Sequence, residues 1–251
     1  MTATTSPLTR VHWHHPEWLV VAASTAAWVA LLAAVPTDPT LLLRGAHPGD
    51  VPAVVGHVVL MTVAMMAPLV LAPSHEVAVA SLWRRRYRSV VLYLGGYLAA
   101  WCAVGTAMVL GIHAVRPLSG ALGVVTVTSI LAAVVAGSRA HVVRLRRCGA
   151  TRPLALTGWR ADRDCVGEGV RMAGRCVATS WALMLLLLAQ GGILVMAAGT
   201  VFVVAERRGR LPDRRLVRWT LALGVLALLV TAGSLGGHAV GPPSLDPHAG
   251  H

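Results

Sequence analysis

The 251-residue chain contains no lysine: all 22 of its basic residues are arginine. That absence excludes Schiff-base and other amine chemistry on lysine. Charge of either sign is scarce, at 13% of residues, while 56% are hydrophobic; an average soluble domain carries about twice that charged fraction. Cysteine is sparse too. Cys102, Cys148, Cys165 and Cys176 include no C-x-x-C pair, and Cys102 lies in the middle of an apolar run, so the four do not read as a disulfide framework. A glycine-rich phosphate loop, G-x-S-x-G, H-E-x-x-H and paired carboxylates are all missing. Enzyme activity is therefore not expected, and Cys176 has no recognisable base beside it. The segment before the first apolar run is short of basic residues, so a signal peptide is not expected either.

Long apolar runs are what the chain has in abundance: 18–35, 51–72, 90–112, 118–136, 176–205 and 219–235. Several approach or exceed the ~20 residues a helix needs to cross the hydrocarbon core of a bilayer. The pattern predicts an all-α integral membrane protein with about six transmembrane segments, multi-pass in a cytoplasmic membrane. Residues 1–17 form a polar tail, 18–235 the helical membrane domain, and 236–251 a tail expected to be disordered. The formal charge of +12 is not read as a nucleic-acid signal. Its arginines cluster in short loops between apolar runs, where cationic residues mark the cytoplasmic side and meet anionic lipid.

Three clusters stand out: Arg84–Arg88, nine arginines within 137–175, and Arg207–Arg218. Six full crossings put the first two on one side and the third on the other, whereas orientation by positive charge prefers all three together. The fifth run offers the resolution. As one continuous helix it measures about 43 Å, more than a single crossing, and Gln190-Gly191-Gly192 divides it into arms of about 20 Å, short for two crossings. A tilted, kinked or re-entrant fifth segment is expected. In the polar stretch 137–175, Asp162, Asp164 and Glu168 are expected to pair with neighbouring arginines, and Trp159 to dip into the interface.

The stretch His57-Val58-Val59-Leu60-Met61-Thr62-Val63-Ala64-Met65-Met66-Ala67-Pro68 carries the chemistry. His57, Met61 and Met65 recur every four residues, which puts an imidazole and two thioethers on one helical face. Such soft donors suit Cu(I) better than Mg²⁺ or Ca²⁺. The competing reading is packing, since methionine fills gaps between helices. Pro68 should kink the helix just after Met65-Met66, and Ser74 looks like the N-cap of a following helix. Further on, Cys176, Ser180 and Met184 share a face by the same spacing. Gly96 and Ala100 form a small-xxx-small pair that invites close helix approach. His12, His14 and His15 surround Trp13 in the polar tail and read as a solvated segment or a loose divalent-metal site. His57 is the one histidine expected well inside the membrane; His113 and His141 flank the fourth run near opposite ends, so bis-histidine haem ligation is not expected.

The elements Met61-Thr62-Val63-Ala64-Met65-Met66-Ala67-Pro68, Gly96-Tyr97-Leu98-Ala99-Ala100-Trp101 and Cys176 through Trp181-Ala182-Leu183-Met184 occur in that order. Together they resemble a bacterial family described as predicted metal-binding integral membrane proteins, a domain of unknown function some of whose members are labelled copper chaperones. The resemblance covers roughly residues 50–210. It implies a membrane protein that binds a soft metal, Cu(I) above all, and hands it to a copper-receiving membrane protein. With the donor stripes apposed, the ligands would come from His57, Met61, Met65, Cys176 and Met184. The chain departs from the family where further cysteines are replaced by Thr179 and Ser180, and only Cys148 stands near Pro153 in the long loop. It is thus either a divergent member relying on the five donors or a scaffold that has lost the metal. Two alternatives stand beside this: a small-substrate transporter, suggested by the breaks at Pro68 and Gly191-Gly192, and a structural or assembly subunit in which both stripes are core.

Overall fold

The computed structural model describes residues 15–43, 51–138, 140, 141, 143, 155, 157–207 and 213–236. Most of the expected tails (residues 1–14 and 237–251), including the histidines and tryptophan at 12–14, and Cys148 lie outside the described residues. Among the described residues every regular element is helical: α1 (Trp18–Ala34), α2 (Val51–Met66), α3 (Leu71–Ala80), α4 (Arg86–Ala136), α5 (Gly158–Gln190), α6 (Ile193–Arg207) and α7 (Asp213–Gly236).

Two breaks set the topology. Pro68 ends α2 where its missing N–H predicts: the helix stops at Met66, tightens into a 3₁₀ turn over Ala67–Val70, and resumes as α3 at Leu71. The expected helix start at Ser74 is not found. Ser74 lies inside α3 and its Oγ donates back to the Leu71 carbonyl at 2.8 Å, a back-bond within a helix rather than a cap. The second break folds the 51-residue α4 in two. Gly120, three residues beyond Pro117, takes φ 69° and ψ 170°, a backbone state open to glycine and to few other residues.

Contacts along the helices give each passage its direction. Ser24 Oγ donates to the Ala64 carbonyl at 2.8 Å and Glu17 meets His75 at 3.2 Å, so α1 runs antiparallel to α2–α3. The first arm of α4 runs alongside α5 in the same direction. Asp162 near the start of α5 is bound by Arg85 and, at 2.6 Å, by Arg88, while at the far end Ile112 and His113 face Leu188–Gly191. Beyond Gly120 the second arm of α4 returns, and Ala132 and Ala136 share a small cavity with Thr179 and Leu183. The turn at Gly191-Gly192 sends α6 back beside α5, so that Glu206 reaches His141 at 2.8 Å. Val217 packs at Gly137, which places α7 antiparallel to the second arm of α4.

Among the described residues the fifth apolar run is therefore two helical passages, broken at Gly191-Gly192 as its length suggested. Its first arm is longer than the run itself, because the arginine-bearing stretch from Gly158 is helical too: α5 has 33 residues, about 50 Å. The added passage brings the Arg84–Arg88 segment, the arginine-bearing start of α5 and the start of α7 to one end. There Arg86 lies over Trp83 at 4.3 Å and Arg163 over Trp159 at 5.2 Å.

Helix packing is closest where α4 meets α5. A Cβ on Gly96 would stand 2.5 Å from the Val166 carbonyl oxygen, and one on Gly169 would collide with the backbone of Tyr93 and Tyr97. Gly96 thus serves the close approach its spacing suggests, and Gly169 meets it from α5. Outside, the bundle is apolar: Leu118 is 87% exposed, and Val201, Leu229 and Val134 are also exposed. Three helices, Pro52–Ala80, Trp83–Ala136 and Gly158–Gln190, are long and apolar enough to cross a membrane.

Candidate metal centre

The end of the bundle opposite the arginine clusters holds a cavity of about 50 Å³ between α2, α4 and the end of α5. His57 and Met61 line it from α2 and His113 and Arg116 from α4, with Gln190 and Gly191 closing it from α5. His57 is half-buried and Met61 buried. The imidazole of His57 donates from Nε2 to the Gly191 carbonyl at 3.3 Å. A carbonyl only accepts, so Nε2 carries the proton and Nδ1 presents its lone pair. Metal-binding histidines are commonly held this way, one ring N–H anchored on a carbonyl and the other nitrogen free to coordinate.

Gly191 can serve because the α5–α6 turn is fixed. It takes φ 74° as the left-handed cap of α5, and its N–H bonds the Leu187 carbonyl at 2.9 Å. Gln190 braces the turn from inside: its Nε2 donates to the Leu43 carbonyl at 2.6 Å and its Oε1 accepts from Gly192 N–H at 2.6 Å. Both ends of this amide are engaged, so Gln190 positions the site rather than supplying a ligand.

The other sequence-predicted donors lie deeper. Met61 stands about 6 Å and Met65 about 12 Å beyond His57 along the helix axis, measured toward the arginine end. On α5, Met184 and Cys176 lie about 9 Å and 21 Å from the level of Gln190 in the same direction. All four are buried. The two stripes do not form the apposed pair expected of them, because α5 packs most of its length on α4. Cys176 turns toward that helix, its Sγ 3.2 Å from the Tyr97 hydroxyl. One ion bound by His57 is too far from Cys176 for both to be its ligands, since Cu, N and S bond over about 2.0–2.3 Å. The five donors are spread along the bundle from one end toward the other.

His113 is the residue that sequence reasoning placed only at the flank of a run. Its signal was depth: it closes the third apolar run at the same end at which His57 opens the second, and the two helices are antiparallel neighbours. Among the described residues no three side chains drawn from His, Cys, Asp and Glu cluster as a metal site. A centre with more than two donors in this cavity would have to include the thioether of Met61.

The replacements Thr179 and Ser180 donate to the Cys176 carbonyl at 2.8 and 2.7 Å, as hydroxyls in helices commonly do. They line a second, smaller cavity with His141 and Glu206 near the arginine end. Both members of that His–Glu pair are buried, and His141 Nδ1 has no hydrogen-bond partner among the described residues.

The family model PpoB2, described as a copper chaperone, matches residues 55–232. The chain belongs to this family. The match runs from Val55 in α2 through nearly all of α7 and so includes His57, Met61 and Met65 of this chain. The comparisons with curated proteins and with solved structures give no match. Copper handling is the function the family name supports at a coarse level. The donors in the cavity fit Cu(I): they are neutral, nitrogen and thioether, and His57 is already held in the coordinating tautomer.

Proposed function

We propose that this protein is a multi-pass protein of the bacterial cytoplasmic membrane that binds Cu(I) within its helical bundle and hands it to a partner membrane protein. The observation that carries the reading is that His57 and Met61, in a member of a copper chaperone family, line one cavity with the Nδ1 lone pair of His57 left free. The apolar exterior and the gathering of the arginines at one end support a membrane location with that end in the cytoplasm. Met65, Met184 and Cys176 then offer further donors at increasing depth. Soft ligands at intervals suit a protein that must release its cargo, because each position holds the ion by few bonds.

The test is the copper content of protein purified in detergent under reducing conditions from copper-supplemented cells. About one copper per chain is expected, lost in the double variant Met61→Leu/Met65→Leu, which conserves volume and should fold. Copper absent from the wild type, or retained in full by the double variant, contradicts the assignment.

A second reading, transport across the bilayer, is favoured by the 3₁₀ interruption at Ala67–Val70 beside Met65 and by donors lying at several depths. Proteoliposomes that accumulate Cu(I) only when they contain the protein would select it; an absence of flux would leave delivery to a partner.

A further inference from the structure

We infer that His113 is the third ligand of a Cu(I) site made with His57 and Met61, and that this site is loaded from the membrane face opposite the arginine clusters. This deepens the copper-handling reading and rests on it.

His57 and Met61 on one helix and His113 on its antiparallel neighbour line the same cavity of about 50 Å³, so two imidazoles and one thioether border one space. A cavity of that size has room for an ion and for a few waters beside it. Of the remaining polar groups, Gln190 is spent on the turn, leaving the guanidinium of Arg116. Arginine stays protonated in proteins. Its repulsion grows in proportion to the charge of a bound ion. No carboxylate or thiolate lines the cavity to offset it, so a divalent ion meets twice the repulsion that Cu(I) does. The same arginine that weakens binding thereby favours Cu(I) over Zn²⁺, for which two imidazoles would otherwise be welcome ligands.

The direction of loading follows from where the cavity lies. It sits at the end where α4 folds at Gly120 and α5 turns at Gly191, whereas Arg84–Arg88 and the start of α5 mark the other end. With the arginine end cytoplasmic, the cavity opens outward.

X-ray absorption at the copper edge, on Cu(I)-loaded full-length protein in detergent, reads the ligands directly. Two imidazole nitrogens and one sulfur are expected. His113→Gln and His113→Leu should each lose one imidazole and weaken Cu(I) at least tenfold in competition titration while unfolding at the wild-type temperature. An unchanged first shell and unchanged affinity in both variants overturn the assignment of His113 and leave the copper reading standing. A wild type that takes up no Cu(I) fails the copper reading itself, and this inference with it. Arg116→Gln should tighten Zn²⁺ by about the square of the factor by which it tightens Cu(I), in line with the charge ratio; equal factors count against the selectivity argument. A membrane-impermeant Cu(I) chelator should strip copper from spheroplasts and not from inverted vesicles, and the reverse pattern overturns the loading side.

Discussion

His57 and Gly191, 134 residues apart in sequence, meet through a hydrogen bond of 3.3 Å from imidazole Nε2 to the backbone carbonyl. That contact joins the second apolar run to the turn inside the fifth. It makes the geometry of a glycine turn part of what orients the histidine proposed to bind the metal, and the consequences can be measured.

The turn itself should tolerate little. Gly191→Ala puts a side chain on a residue at φ 74° and should cost about 1–2 kcal/mol. Gly192→Ala should cost more, because its Cβ would stand 2.7 Å from the Leu43 carbonyl oxygen and 2.9 Å from Gln190 Nε2. Thermal unfolding in detergent should rank wild type above Gly191→Ala above Gly192→Ala. Both variants should also lose Cu(I) affinity, since the carbonyl that fixes His57 moves with the turn.

Glycines on α5 divide sharply by what surrounds them. Gly169→Ala drives a methyl group into the backbone of Tyr93 and Tyr97 and should prevent α4 and α5 from docking, seen as loss of monodisperse protein. Gly174→Ala meets nothing within 4 Å and should be neutral or stabilising by up to about 1 kcal/mol through helix propensity. Equal behaviour of the two would contradict the packing described for this helix pair.

The buried pair His141–Glu206, at 2.8 Å, ties the return of α6 to the end of α4. Removing one partner strands the other in an apolar setting, and His141→Phe or Glu206→Leu should each cost about 3–5 kcal/mol. The double variant should recover much of that loss, because it removes both buried polar groups. A double-mutant cycle on unfolding free energies measures the coupling; additive single effects would mean the pair does not act as a unit.

Acid should loosen the start of α1. Burial pushes the Glu17 carboxyl upward, but the backbone hydrogen bond and the hydrogen bonds from His15 and His75 outweigh it and hold the carboxyl below its ordinary value of 4.5. A depressed carboxylate contributes stability that is present above the unfolded value and is lost as pH falls through the lower folded value. The unfolding temperature of the wild type should therefore drop across that acid range by more than that of Glu17→Gln, while the two curves run parallel above it.

Much of this architecture was legible in the chain because long apolar helices announce themselves by composition. The six apolar runs and the interruption at Pro68 follow from hydropathy and from proline's missing N–H. The two passages of the fifth run were harder to see. Cys176 to Gln190 alone is too short to span, and only the helical continuation back to Gly158, through a stretch rich in charge, gives α5 its length. Charge distribution supplied the better clue, since the start of α7 lies at the same end as Arg84–Arg88. At the candidate centre, periodicity correctly put His57 and Met61 on the cavity side of one helix. It could not show that Cys176 faces Tyr97 on another helix, or that His113 arrives at the level of His57, because helix partners and relative depth are not encoded in spacing along one segment.

The central claim is a stoichiometric Cu(I) site inside the bundle, and competition titration of metal-free protein against a colorimetric Cu(I) chelator tests it most directly. The account predicts one Cu(I) per chain for the wild type, with Met61→Leu/Met65→Leu reduced to the background of detergent alone. Wild-type protein that competes no better than that double variant would contradict it.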